Sequence, residues 1–115
     1  MDLNLVVLAG KLAAPPELRT FDSGTRLLRF LVTARSEEPR RRLDVVPVTL
    51  WDPDDTMVTQ VERLDAAPGR RLWVAGAVQR RFWEAPEGRR SRLEVVAHQV
   101  DIKPPEEDDD AAAAC

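Results

Sequence analysis

Residues 43–83 read LDVVPVTLWDPDDTMVTQVERLDAAPGRRLWVAGAVQRRFW, and they spell strand, helix, strand. From about Leu43 to Trp51, Val46, Val48 and Leu50 fall on one face while Val45, Pro47, Thr49 and Trp51 fall on the other, the period of two that a β-strand imposes. Pro47 lacks an N–H for the ladder and so asks for an edge position or a bulge. Asp54 can cap a short helix from Asp55 to Asp65, in which Met57, Val61 and Leu64 recur at helical spacing before Pro68-Gly69 stops it. That helix has one apolar stripe and is expected to plug a core. From Arg71 to Trp83 alternation returns, setting Leu72, Val74, Gly76 and Val78 against Trp73, Ala75, Ala77, Gln79, Arg81 and Trp83.

On either side of this segment the chain continues in strands. Asn4 to Leu12 holds the β-branched, apolar run Leu5-Val6-Val7-Leu8-Ala9-Gly10, too short for an unassisted helix. Gly10 within it marks a bend or a close backbone approach. Pro15 and Pro16 end that strand, and Asp22-Ser23-Gly24 turns the chain into a second, from about Thr25 to Arg35. There Leu28, Phe30, Val32 and Ala34 oppose Arg29, Leu31, Thr33 and Arg35. After a polar connection, Ser36 to Arg42, comes the third strand already quoted. A hairpin connection over Glu84 to Gly88 leads to a fifth strand, Arg90 to Ile102, with Leu93, Val95 and Ala97 on one side and Val96, His98 and Val100 on the other. An all-β chain of five strands with one short helix between the third and the fourth has the element order of an OB-fold barrel.

The 115 residues suffice for one such core and not for two ordinary domains. The organisation expected is an OB-fold over residues 1–103 and a disordered acidic and Ala-rich tail over 104–115. The formal charge of −3 is dominated by that tail, where Glu106, Glu107, Asp108, Asp109 and Asp110 stand together. Residues 1–103 carry all 17 basic side chains against 15 acidic ones, a mildly cationic body that suits a nucleic-acid binder as well as a merely solvated surface. Fifteen of the basic residues are Arg, whose planar guanidinium stacks and contacts phosphate. The only cysteine is Cys115, so neither an internal disulfide nor a thiolate metal site can be built. No leader pattern and no apolar run of spanning length appears, and a cytoplasmic, nucleoid-associated protein is expected.

Coating unpaired DNA requires a basic groove for the backbone and aromatic faces for bases, each stack contributing about 1–3 kcal/mol. Alternation puts Trp51, Trp83 and Arg81 opposite the aliphatic stripe, and does the same for Arg29 and Arg35 on the second strand. These five are the candidate DNA-binding residues. Trp73 shares the phase, but its neighbours Ala75 and Ala77 assign it to a subunit interface. Arg40-Arg41-Arg42 could follow a phosphate backbone, though Glu37 and Glu38 partly neutralise it. His98 with Glu94 invites an acid/base or metal reading. Val96 stands between them and no third ligand lies nearby, so His98 is taken as a surface or interface residue. No phosphate loop or nucleophile motif is present. No catalytic residue, cofactor or metal is assigned.

The order of motifs resembles the bacterial single-stranded DNA-binding protein family from Leu3 to about Ile102. The matching pieces include Asn4-Leu5-Val6-Val7-Leu8-Ala9-Gly10-Lys11-Leu12, Pro16-Glu17-Leu18-Arg19, Ser23-Gly24-Thr25 and Asp44-Val45-Val46-Pro47-Val48-Thr49-Leu50-Trp51. Further on come Pro68-Gly69-Arg70-Arg71-Leu72-Trp73-Val74-Ala75-Gly76, and Arg81-Phe82-Trp83-Glu84 with Gly88-Arg89-Arg90. The resemblance implies an OB-fold that assembles as a homotetramer, with base-stacking aromatics at the positions of Trp51 and Trp83. It implies service in DNA replication, repair or recombination. Two departures matter. The family often carries aromatics early in the connection after the second strand and at the position of Val45, and neither is aromatic here. The family's acidic C-terminus ends in Pro-Phe, whereas Ala111 to Cys115 stand here, so recruitment of the usual partners through the tail is not expected. Such a chain resembles a paralogue or short-tailed member.

The function expected is therefore sequence-independent binding of single-stranded DNA by a homo-oligomer. The alternative is a protein-interaction OB-fold subunit, primosome-like or regulatory, with weak DNA binding. An enzyme ranks third, because a fold by itself implies no chemistry.

Overall fold

The computed structural model describes residues 1–63 and 67–104. Six strands and one helix follow in the order β1 (Val6–Leu12), β2 (Glu17–Thr20), β3 (Arg26–Ser36), β4 (Arg42–Trp51), α1 (Asp55–Glu62), β5 (Arg71–Ala85) and β6 (Gly88–Ile102). The five strands read from alternation are β1, β3, β4, β5 and β6, and α1 lies between the third and fourth of them as expected. They close into a ring. β1 pairs with β5 along Val6–Lys11 and with β3 at Lys11 and Leu12, while β4 pairs with β6 in parallel at Val48 and Thr49. Closure removes the open edges that a five-stranded sheet would otherwise expose. This is the OB-fold.

The additional strand β2 forms a hairpin with the start of β3, Glu17 facing Arg29 and Thr20 facing Arg26. It lies on the same edge of β3 that β1 occupies further along. Four residues between Pro16 and a turn are too few for a periodicity to be read, so only the pairing reveals it.

Alternate residues of each strand point into one core, where Leu28, Phe30, Val32, Val48, Leu72 and Val74 are almost fully enclosed. Gly10 shows why no side chain fits in mid-β1: a Cβ there would collide with the carbonyl oxygen of Thr33 on β3. Pro47 sits opposite Leu31 of β3, one residue before β4 meets β6, so its missing N–H breaks no pairing on that side. Asp54 caps α1, its side chain accepting from the Met57 N–H at 2.8 Å. Val58 is buried beneath the helix, and Met57 and Val61 pack against the core, so the helix plugs the barrel. It ends at Glu62 with extended backbone at Arg63, earlier than the Asp65 expected; Leu64 lies outside the described residues.

Two expectations for the last strand fail for one physical reason each. Val100, grouped with Val96 and His98 by strict alternation, is buried in the core. The β5–β6 register shifts between Ala75 and Gly76, which face Gln99 and Ala97, so His98 is the extra residue of a β-bulge and reverses the phase beyond it. Leu93, placed with Val95 and Ala97, is 54% exposed because β5 and β6 run on past the barrel as a free arm that turns at Pro86 and Glu87. Among the described residues no helix is long and apolar enough to cross a membrane. The acidic and Ala-rich segment expected to be disordered lies, beyond Pro104, outside the described residues.

Candidate nucleic-acid interface

The outer faces of β3, β4, β5 and β6 meet in an open cleft of about 330 Å³ whose lining includes Arg19, Phe21, Arg29, Trp51, Arg81 and Glu94. Strand register explains the convergence. Trp51 ends β4 opposite Leu27, Arg29 lies between Glu17 of β2 and Thr49 of β4, and Arg81 faces Arg92 across the arm. Trp51 stacks on Phe21, with ring centroids 5.9 Å apart and planes 20° from parallel. Phe21 is held by its own turn, donating its N–H to the Thr25 carbonyl at 2.9 Å and accepting from Gly24 at 2.8 Å. The chain beyond Trp51 is fastened to β3: Asp52 donates to the Arg26 carbonyl, and Arg26 reaches both the Pro53 carbonyl and the Asp55 carboxylate. The aromatic wall of the cleft is thus built on fixed backbone.

Arg29 is the interior cation of the group. Its Nε is buried without a hydrogen-bond partner, and its pKa lies below the ordinary arginine value because burial disfavours the charge, with Arg81 and Arg19 adding repulsion. Glu94 opposes that shift, and Arg92 reinforces it. A half-buried guanidinium with an idle donor, ringed by others, is an anion-binding arrangement. Trp83 stands out along the arm on the same side of β5 as Arg81, with the Arg92 guanidinium 6.0 Å from its ring centre. Trp51 and Trp83 are each between two fifths and one half exposed, so part of each ring is accessible for stacking beside Phe21 and Arg92.

Of the five residues singled out from sequence, Trp51, Arg29 and Arg81 share the cleft and Trp83 extends it, while Arg35 does not join them. Arg35 faces Leu43 near the far end of β3 and lines a separate depression with Arg41 and Arg42. Arg42 there is tied to Asp44 at 3.1 Å. Trp73 is also elsewhere, at the opposite end of β5, beside Val7 and beneath the Lys103 ammonium. His98 lines a further depression near Trp51, Asp54 and Met57, whereas Glu94 faces the arginine cleft, so the two do not form one site. Arg19, Phe21, Arg92 and the burial of Glu94 were not foreseen. Counting back from a two-residue turn at Pro86-Glu87 would have set Arg92 opposite Arg81; Phe21 needed the unseen β2 hairpin.

The profile of the single-strand binding protein family matches residues 3–103. The chain belongs to that family. Among its relatives, the single-stranded DNA-binding protein of Clostridium tetani is 31% identical over 103 residues, covering 85% of this chain and 68% of that one. Single-stranded DNA-binding protein 1 of Staphylococcus aureus is 29% identical over 113 residues, covering 94% and 70%. In three dimensions the chain is similar to the Plasmodium falciparum SSB, solved in complex with single-stranded DNA, at a TM-score of 0.73 and 18% identity, covering 91% of this chain and 96% of that one. The last likeness is one of fold.

Proposed function

We propose that this family member binds single-stranded DNA without regard to sequence, laying the strand along the cleft of Trp51 and the arm of Trp83, and that it carries out no chemical step. The observation that carries the reading is the meeting of an exposed stacked aromatic pair, Trp51 with Phe21, and the guanidiniums of Arg19, Arg29 and Arg81 in one open cleft. Aromatic faces take bases of any identity, and guanidiniums take the phosphates between them. Arg35 serves as a second phosphate contact where the strand leaves along β3, together with Arg41. Such a protein protects single strands exposed in replication, repair and recombination.

Assembly as a homotetramer is part of the proposal. Leu5, just before β1, and Val7 within it are exposed, and Val7 borders the half-exposed Trp73. An apolar strip of this kind on a small barrel suits burial against a second copy. Light scattering at micromolar concentration is expected to give an oligomer; a monomer mass would refute it. A place beside the nucleoid is part of the proposal, because it follows from the DNA binding proposed for this family member.

A second reading has one observation in its favour. Leu31, Leu43 and Val45 are exposed on neighbouring stretches of β3 and β4, Val45 standing where the family resemblance puts an aromatic, and such an aliphatic strip suits a protein partner. Titration with oligothymidylate and with duplex of equal length in matched buffer separates the two. Single-strand binding well above duplex binding, weakening as salt rises, is expected; equal affinity for both would refute the DNA reading.

A further inference from the structure

A carboxylate lies among the guanidiniums of the cleft. Glu94 is only 8% exposed, sits on β6 opposite Gln79, and lines the same cleft as Arg19, Arg29 and Arg81. Its Oε2 is buried with no hydrogen-bond partner, as is Nε of Arg29. An unpaired donor and an unpaired acceptor of opposite charge therefore share one cleft, although leaving either group unpaired costs free energy. The carboxylate cannot simply withdraw. β6 is paired with β5 around Glu94 and with β4 at the next two positions, so its backbone cannot carry the carboxylate out to solvent. Among the four charged neighbours that act on Arg29, Glu94 alone favours its charged form; Arg81, Arg19 and Arg92 oppose it.

We propose that Glu94 is a built-in counter-anion, a positioning residue that keeps the arginines of the cleft gathered while no DNA is bound and limits how tightly they then hold a phosphate of the strand. This rests on the single-stranded DNA reading above. An arriving phosphate meets guanidiniums already facing a fixed carboxylate, and it is repelled by that carboxylate at short range. The arrangement exchanges affinity for release, which suits a protein that must leave the strand it covers. The effect belongs to the phosphate and is therefore indifferent to the bases.

The test uses the full chain, titrated with oligothymidylate by tryptophan quenching across a range of salt. Glu94→Gln retains the shape and removes the charge. It is expected to bind about three- to fivefold more tightly at low salt, with a salt slope steeper by up to about 0.7 because one more phosphate is engaged. The advantage should fade as salt screens it. Glu94→Asp, which retains the charge, should stay near the wild type. In an Arg29→Ala background the gain from Glu94→Gln should largely vanish, because the carboxylate acts through that guanidinium. Gln79→Glu, an exposed change directly across the ladder, adds a second carboxylate and should move affinity and slope the other way. It keeps the test open even if Glu94→Gln fails to fold. Unchanged affinity and slope in folded Glu94→Gln, weakened binding in that variant, or tighter binding by Gln79→Glu would overturn the proposal. If the wild type itself does not bind oligothymidylate, the DNA reading falls first; if it binds and the variants are silent, only the role of Glu94 falls.

Discussion

The two halves of the β5–β6 ladder obey the same alternation and yet face opposite surroundings. In the barrel half, Leu72 and Val74 are sealed against Val100 and Ile102, and one face of the ladder is core. In the arm half, Phe82 and Trp83 point to opposite sides and both are exposed. The backbone pairing does not distinguish the halves, since both are antiparallel, continuous and in register apart from the bulge at His98. What differs is the presence of β1, β3, β4 and α1 behind one half and solvent behind the other. Burial is a property of the closed ring, and the arm is free to spend its side chains on something else. There it presents Arg80, Arg81, Arg89, Arg90 and Arg92, with Arg89 4.7 Å from the Phe82 ring centre and Arg92 over Trp83.

That contrast can be broken most forcefully by equal truncations in the two halves. Leu72→Ala empties a fully enclosed site and is expected to destabilise the fold by about 2–5 kcal/mol in urea unfolding. Leu93→Ala, the same chemistry on the arm, should stay within about 0.5 kcal/mol of the wild type. A comparable loss from both would mean that the arm is packed in the free protein, against another copy or against the barrel.

The next effect in size is on binding. Trp83→Ala and Trp51→Ala should each weaken oligothymidylate binding by about 1–3 kcal/mol with the salt slope nearly unchanged, because stacking releases no counterions. Trp73→Ala, at the barrel end, should disturb assembly, seen as a lower mass in light scattering, more than it disturbs affinity per intact oligomer. A smaller effect is expected from Arg81→Ala, which should reduce the salt slope by about 0.7 as one phosphate contact disappears. A slope change from Trp83→Ala and none from Arg81→Ala would reverse the roles given to the two residues.

The same comparison explains how much was legible in the sequence. Alternation located β1, β3, β4, β5 and the helix, because Leu28, Phe30, Val32, Val48, Leu72 and Val74 keep a strict period of two over whole strands. It also set Trp51, Arg29 and Arg81 on the outer side, where the cleft gathers them. It failed where a period alone cannot see. The extra residue at His98 reversed the phase of Val100, and the absence of any layer behind the arm exposed Leu93. Arg35 shows a different limit. A shared face is not a shared place, and six residues along a strand from Arg29 amount to roughly 20 Å. The stack of Phe21 on Trp51 and the enclosure of Glu94 depend on contacts between segments distant in sequence, for which local pattern carries no signal.

Whether the DNA strand follows the Trp51 and Trp83 side and not the Trp73 side can be read directly from three chains that each retain one tryptophan, the other two being replaced by Phe. A base stacked on an indole quenches its fluorescence, so saturating oligothymidylate is expected to quench the chains retaining Trp51 or Trp83 and to leave the chain retaining Trp73 nearly unaltered. Strong quenching of Trp73 alone, with Trp51 and Trp83 silent in intact oligomers, would contradict the assignment and move the interface to the other end of β5.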